Sequence, residues 1–479
     1  MKILNRRDFL TTLGYGSVGA YTAGSLLGIS QILSCSGLSG QRKPNFVILF
    51  MDDMGYGDWT RGGHPTIYTP NMNRMAQEGI QMTQFYCASP VCSPSRAALL
   101  TGRNPIRNGV IEVFFPAHDK GLPLSEITIA EALKPLGYAT ACIGKWHLGC
   151  PQEYRPLNRG FDYYFGLLHS NDMWGPGLFR NNEWIEHPAD QTTLTKRYTE
   201  EAIAFIERSK DKPFFLYLPH TMPHVPLYAS DEFLGTSKRG LYGDVIEELD
   251  WSVGQILDTL DRLKLSENTL VLLTSDNGPW VTKKQEGGTS GLLHGAKGET
   301  WEGGMRVPFI ARWRGHIPAG QVSTEVGSII DFFPTLVELA GGSLPDDRPF
   351  DGINLMPTLK GEESPERIIY FYGSEHLQAV RKGNWKLHFS YLDTEEMGWE
   401  NREEKWVTLE TPLLYDIEVD PSEKYDVAAD YPDIVEELTA IAERYKEEIR
   451  RNAENQELVD WFINEWSTSE RSPQKGTQW

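Results

Sequence analysis

Cysteine is scarce in this chain of 479 residues. The five present, Cys35, Cys87, Cys92, Cys142 and Cys150, are too few and too unevenly spaced for a disulfide framework. Cys142 and Cys150 could pair, with reduced or buried thiols the preferred reading. Positive charge is also short: 46 Lys and Arg stand against 66 Asp and Glu, a net charge of -20. That excludes a nucleic-acid partner, which needs a cationic face. It does not exclude a small anion, because a few cations in a cleft hold one anion whatever the global charge. Long apolar runs are missing. The uncharged stretch from Phe9 to Gln41 is diluted by glycine and hydroxyl residues, which makes it too weakly apolar for a spanning helix. No internal repeat is present.

What is there begins with Arg6-Arg7-Asp8-Phe9-Leu10 ahead of that uncharged stretch, the form of a twin-arginine export signal. Ile32-Leu33-Ser34-Cys35 has the outline of a bacterial lipoprotein cleavage site, with Leu33 a departure from it. Residues 1–40 are therefore expected to direct export to the periplasm or the outside, with Cys35 the candidate lipidation site. Four continuous apolar runs follow: Asn45 to Met51, Tyr138 to Ile143, Phe214 to Leu218 and Thr269 to Thr274. Such runs mark strands buried on both faces of a parallel sheet. Helical patterns lie between them at Ile127 to Leu136 and Tyr242 to Leu265, the second with Val245, Leu249, Val253, Ile256, Leu260 and Leu263 on one stripe. The alternation predicts an α/β domain over residues 41–370, built on a large, mainly parallel sheet flanked by helices.

Composition shifts near residue 370. Ala379 to His388 reads as a hairpin turning at Lys382-Gly383, and Leu413 to Ile417 as another strand. Asp430-Tyr431-Pro432 then opens a helix with Ile434, Leu438, Ile441, Tyr445 and Ile449 on its apolar stripe. A smaller C-terminal α+β subdomain is expected over residues 371–466, followed by a polar tail, 467–479.

Ligands of open α/β sheets sit beyond the carboxyl ends of strands, and the polar clusters fall there. Asp52 and Asp53 follow the first run; Asp276 and Asn277 follow the fourth. Carboxylates with an amide oxygen suit Ca²⁺ or Mg²⁺. Histidine is absent from both clusters, which argues against zinc. The third feature is Gly144-Lys145-Trp146-His147-Leu148-Gly149 at the end of the second run. Period-2 spacing would put Lys145 and His147 side by side, an ammonium to hold an anionic oxygen and an imidazole to move a proton. His224 lies between Pro223 and Pro226, which keep its backbone out of a helix. Gly287 to Arg306 is a glycine-rich loop carrying Lys297. It lacks the Gly-Lys-Ser/Thr ending of a P-loop.

The most specific run is Pro90-Val91-Cys92-Ser93-Pro94-Ser95-Arg96-Ala97-Ala98-Leu99-Leu100-Thr101-Gly102. Its Cys-x-Pro-x-Arg core, with the Lys145–His147 segment, resembles the two signatures of the type I sulfatases. The likeness extends from about Asn45 to Asp430 and is nearest the arylsulfatase A and N-acetylgalactosamine-6-sulfatase branch. It implies an alkaline-phosphatase-like fold and sulfate ester hydrolysis, with Cys92 oxidised to formylglycine by a formylglycine-generating or anaerobic sulfatase-maturating enzyme. It implies that Asp52, Asp53, Asp276 and Asn277 bind one Ca²⁺ (or Mg²⁺) together with the group at position 92. It also implies roles for side chains around the metal. Arg96 fixes the formylglycine diol, Lys145 and Lys297 grip the sulfate, His147 acts as base, and His224 protonates the leaving alcohol with help from Lys297. Ser170 aligns with a substrate-side serine, although its neighbours diverge. Sulfated glycans are the expected substrates, with Trp174, Trp280, His294 and His376 as candidates for the sugar subsite. Two rivals stand beside this reading. One is a phosphatase or phosphodiesterase of the same superfamily, which would use Ser or Thr with two zinc ions. The other is a binding protein on a dead catalytic frame, which would be expected to lack one of these residues.

Overall fold

The computed structural model describes residues 42–173, 175–393 and 405–452. The export segment with Cys35, Trp174, the C-terminal stretch beyond residue 452 and the polar tail lie outside the described residues.

The four apolar runs become the centre of one sheet. They form β1 (Asn45–Met51), β3 (Ala139–Ile143), β7 (Phe214–Pro219) and β8 (Thr269–Ser275). The sheet is completed by β2 (Ile80–Tyr86), β4 (Tyr163–Leu167), β5 (Leu178–Arg180), β6 (Glu183–Glu186), β9 (Phe309–Arg312) and β10 (Gln321–Ser328). Their order in space is β10-β2-β9-β8-β1-β7-β3-β4-β5-β6. Successive β1 side chains point to opposite faces. Phe46, Ile48 and Phe50 enter one core with Phe215, Tyr217 and Leu272, covered by the helix Cys92–Thr101 through Ala97 and Leu100. Val47, Leu49 and Met51 enter the other with Leu216, Leu218 and Leu273, covered by the helix Leu241–Arg262 through Leu249, Val253 and Ile256. Burial on both faces is why these strands read as continuous apolar runs.

The sheet is mainly parallel at its centre and mixed at its flanks. β1 runs parallel to β7 and β8, and β3 runs parallel to β7 and β4. β9 is antiparallel to both β8 and β2. The glycine-rich loop stays at the carboxyl end of β8, so the chain re-enters the sheet from that edge and must run back. The helix expected over residues 127 to 136 is shorter, Ile129–Leu133, with a Thr128–Glu131 capping box. Pro135 removes a backbone donor, and the pattern finishes as a single 3₁₀ turn, Lys134–Leu136.

A second, antiparallel sheet holds β11 (Ile368–Gly373), β12 (His376–Lys382), β13 (Trp385–Asp393) and β14 (Lys405–Asp416) in that order. Lys382 pairs with Trp385, so the hairpin turn sits at Gly383-Asn384, one residue later than expected, with Gly383 at φ 55°. The helix Pro432–Asn452 packs Leu438, Ile441, Tyr445 and Ile449 on Val380, Leu387 and Leu414. None of the described helices is long and apolar enough to cross a membrane.

A buried ionic cluster joins the two sheets. Lys386 on β13 is within 3.0 Å of Glu302 and 2.9 Å of Glu423, and all three side chains have no exposed surface. Tyr86, at the end of β2, donates to Glu302 at 2.6 Å, and Glu423 accepts the Glu302 backbone N–H at 2.6 Å. Burial pushes the Glu302 carboxyl up, but Lys386, Arg306 and Arg381 outweigh it and hold it down at about 2. Removing one member of a buried charge cluster leaves the others uncompensated, at a cost of about 3–5 kcal/mol. Lys386→Met is therefore expected to lose roughly that much stability, read from denaturant unfolding. A loss under about 1 kcal/mol would mean that water reaches the cluster.

Candidate functional site

Four neighbouring strands, β8, β1, β7 and β3, present their carboxyl ends side by side, and the predicted site residues follow them. β1 delivers Asp52 and Asp53, β8 delivers Asp276 and Asn277, β3 leads to Lys145 and His147, and β7 leads to His224. The first turn of the helix Cys92–Thr101 supplies Cys92 and Arg96. Lys297 arrives on the loop before β9.

Arg96 ties these segments together. Its Nε and Nη2 donate to Asp276 Oδ2 at 3.1 and 2.7 Å, and its Nη1 donates to the Lys145 carbonyl at 3.0 Å. Ser95 adds a hydrogen bond to the Asp276 carbonyl at 2.5 Å. Lys145 Nζ lies 2.5 Å from Asp52 Oδ2 and donates to Ser170 Oγ at 2.9 Å, so Ser170 does belong to the cluster. Lys297 Nζ donates to Asp53 Oδ2 at 2.8 Å, and Asn277 Nδ2 donates to Asp53 Oδ1 at 2.8 Å.

Two backbone features shape the cluster. Asp53 and His147 both have left-handed φ, 67° and 58°, a region costly for residues with a Cβ and concentrated at functional sites. β3 ends at Ile143, so Lys145 and His147 are neighbours through a loop and not through strand alternation as expected. Gly144 begins that loop at φ 130°, where a Cβ would fall 1.8 Å from the Pro219 carbonyl. Only glycine permits that approach.

The histidines are oriented by main-chain carbonyls. His147 Nε2 lies 2.8 Å from the Phe114 carbonyl, which can only accept; that nitrogen therefore carries the proton, and Nδ1 keeps its lone pair. Nδ1 is buried with no hydrogen-bond partner. Burial, then Lys145 and Arg96, hold His147 well below its ordinary value. His224 Nδ1 lies 2.6 Å from the Val225 carbonyl, which leaves Nε2 facing Asp53 Oδ2 at 3.7 Å. Burial and then Lys297 bring His224 down to about 3. Burial raises the Cys92 thiol to about 11. At neutral pH it is protonated and no nucleophile.

The donor set fits a hard divalent cation. Asp52 Oδ1 and Asn277 Oδ1 are buried and accept no hydrogen bond; Asp52 Oδ1 has only a 3.3 Å ionic contact to Arg96. Burial pushes the Asp52 carboxyl up, but Lys145 and then Arg96 outweigh it and hold it well below the usual range. Burial and the charge of Asp52 push Asp276 up to about 7. A cation between them would relieve that repulsion. A histidine also reaches these carboxylates from outside the two sequence clusters: Asp52, Asp53 and His224 place candidate ligand atoms within 4.8 Å of one another. β7 lies beside β1, and the His220 N–H bonds the Phe50 carbonyl at 2.8 Å, which folds the next turn over the carboxylates.

Of the sugar-subsite candidates, Trp280 packs against His224 at 5.3 Å and under the Lys297 ammonium at 4.3 Å, so it stands beside the cluster. His294 packs on Trp301 at 4.6 Å and His376 on Trp406 at 5.1 Å. The Phe114 carbonyl was not foreseeable, since a main-chain acceptor leaves no trace in residue type. Asp58 was passed over, although it sits in a Gly-Tyr-Gly-Asp turn. Buried, it takes Tyr242 Oη at 2.6 Å and the Thr289 N–H at 2.7 Å, anchoring the start of the glycine-rich loop.

A family model described as Sulfatase matches residues 44–343, and one described as the C-terminal region of aryl-sulfatase matches residues 364–475. N-acetylgalactosamine-6-sulfatase of Mus musculus is 39% identical over 90% of this chain and 93% of its own length. Steryl-sulfatase of Homo sapiens is 36% identical over 80% of this chain and 84% of its own. The crystal structure of Ps i-CgsB in complex with k-i-k-neocarrahexaose superposes with a TM-score of 0.76 at 28% identity, covering 88% of this chain and 98% of that one.

The orphaned oxygens make cation binding measurable without turnover. A divalent cation at about 100 times its Kd adds about 2.7 kcal/mol of stability. Calorimetry is expected to show Tm rising with added Ca²⁺ or Mg²⁺ and falling with chelator, and Asp276→Ala to abolish that response.

Proposed function

We propose, for a chain that belongs to the sulfatase family and hydrolyses sulfate esters, that it acts on sulfated glycans through a formylglycine at position 92 and one Ca²⁺, with Mg²⁺ the alternative ion. The observation that carries the reading is the convergence of Cys92, two lysines and two histidines on the Asp52–Asp53–Asp276–Asn277 oxygens. The sugar-directed relatives support the substrate class. A two-metal phosphatase mechanism is disfavoured, because Lys145 and Lys297 already stand among the carboxylates, where a second cation would meet like charge.

Asp52, Asp53, Asp276 and Asn277 would hold the ion, which would polarise the sulfate oxygens. A formylglycine, hydrated to a diol, supplies one hydroxyl to attack sulfur and retains a second whose deprotonation expels sulfate, which a serine lacks. Arg96, locked to Asp276 and the Lys145 carbonyl, positions that residue through the first turn of its helix. Lys145 and Lys297 bind the sulfate and stabilise the charge that develops on it. His147 Nδ1 accepts the proton of the second hydroxyl as sulfate departs. His224 Nε2 and Lys297 Nζ both face Asp53 Oδ2 and converge on the place of the leaving oxygen. Burial lowers Lys297 and Asp53 outweighs it, so its ammonium is held above its ordinary value. In the substrate-free protein Lys297 holds the proton; His224 is neutral, and to act as the acid its Nε2 takes a proton from solvent water as the anionic ester enters and gives it to the leaving oxygen.

The enzyme is exported through residues 1–40 to the periplasm or the exterior, with Cys35 the candidate lipidation site. A maturating enzyme acts on the Cys92 segment.

Peptide mass spectrometry of active protein is expected to show formylglycine in place of Cys92; a free thiol in fully active material sinks the mechanism. Cys92→Ala should keep the fold and lose nearly all turnover. Elemental analysis should return one calcium or magnesium, and two stoichiometric zinc ions would point to the phosphatase reading.

An aryl sulfate has a good leaving group and needs little protonation. His224→Ala should therefore slow a sugar sulfate about 10²–10⁴-fold, the usual worth of general acid catalysis, and an aryl sulfate far less. Equal losses on both would transfer the acid role to Lys297. His147→Ala should slow both substrates.

A further inference from the structure

The turn Val281–Glu286 carries two lysines, Lys283 and Lys284, on a protein of net charge -20. It follows β8 and borders the site through Trp280. Lys283 Nζ lies 4.4 Å from the Trp280 ring centroid, and Lys297 Nζ lies 4.3 Å from the same centroid. The two ammonium groups are therefore within the sum of those distances of one another. The turn is also held in place. Arg239 donates to the Gln285 and Gly287 carbonyls, both at 3.0 Å. Its guanidinium lies 5.3 Å from the Tyr242 ring centroid, and Tyr242 bonds Asp58. Lys284 takes a non-helical φ of 58° within the turn. Lys238, next to Arg239, is exposed. Arg239 thus joins the turn that carries Lys283 and Lys284, with Lys238 beside Arg239 in sequence and Glu286 at the end of the turn.

A substrate that carries two anionic groups can meet one ammonium with each of them. Lys297 is placed for the ester sulfate. Lys283, half-buried and one indole ring away, has no part in that chemistry. We propose that Lys283 binds a second anionic group of the substrate, a carboxylate or another sulfate carried on the same or the adjoining sugar. The preferred substrates are then acidic saccharides with two or more negative charges. This rests on the sulfatase reading and narrows it.

The test compares four substrates: an aryl sulfate, a monosulfated neutral hexosamine, a disulfated hexosamine, and a monosulfated hexosamine linked to a uronate. Wild-type turnover of the first two tests the sulfatase reading on its own. A hydrogen bond to a charged group, taken at the low end of its range, corresponds to roughly tenfold in binding. Lys283→Met is expected to raise KM roughly tenfold on the doubly charged substrates, to leave kcat little changed, and to leave the first two substrates within about twofold. Lys283→Arg should restore most of the loss. An effect on the disulfated compound alone identifies the second group as sulfate, and an effect on the uronate alone identifies it as carboxylate. In the wild type, added salt should raise KM more steeply for the doubly charged substrates. Equal changes on all four substrates, or no change on either doubly charged one with equal salt slopes, would overturn the proposal.

Discussion

One buried guanidinium organises the site. Arg96 has no exposed surface and bonds both the carboxylate after β8 and the carbonyl of Lys145 after β3. It therefore locks the helix of Cys92 to two strand ends that approach the site separately. A charge so deep is tolerated because carboxylates surround it. Asp52 and Asp276 are kept close by the same cation, and their mutual repulsion is what a further positive centre would relieve. Arrangement and donor set thus have one origin: three carboxylates are gathered in one place, and their pairing with Arg96, Lys145 and Lys297 still leaves Asp52 Oδ1 and Asn277 Oδ1 without a hydrogen bond.

The strands and the chemistry-bearing loops were legible because they obey local rules. A strand buried on both faces must be apolar throughout, so β1, β3, β7 and β8 announce themselves. Polar residues directly after such strands have few structural reasons to be there, which singled out Asp52, Asp53, Asp276 and Asn277. The Cys92 to Arg96 spacing reports a first helical turn that aims both side chains at the same strand ends. What stayed hidden was set by distance in sequence or by backbone. His224 meets Asp53 only because β7 lies beside β1. The left-handed φ of Asp53 and His147 carries no composition signal, since neither is glycine. Lys386 falls in the segment read as a hairpin, where it is buried between Glu302 and Glu423, and no periodicity separates a solvated lysine from one sealed against another sheet.

That buried lysine changes the meaning of the C-terminal sheet. Lys386 also donates to the Thr300 carbonyl at 3.0 Å, and Thr300 bonds Gln378 on β12 at 2.5 Å. The glycine-rich loop ends at this anchor, begins at the Asp58–Thr289 anchor, and is pinned between them by the Gly298 N–H on the Pro90 carbonyl at 2.9 Å. A loop rich in glycine is entropically costly to order, so Lys297 owes its fixed position to these three attachments together with its own N–H on the Pro279 carbonyl at 3.0 Å. The described part of the second sheet acts at the site by holding this loop.

The same economy governs the histidines. Each gives one ring nitrogen to a main-chain carbonyl and keeps the other for the cluster: His147 through Phe114, His224 through Val225. A carbonyl cannot donate, so the tautomer is set by the fold and not by the pH. For His147 this leaves an unprotonated Nδ1 in a pocket whose other nearby charges include Lys145 and Arg96. Burial and those cations keep the imidazole neutral at rest, which the proposed role as a base requires. On the proposed mechanism, an anion bound at Lys145 would weaken that lysine's opposition to protonation, so the histidine would become more basic with substrate in place. The lysine proposed to bind the sulfate would then also govern when the proposed base can take its proton.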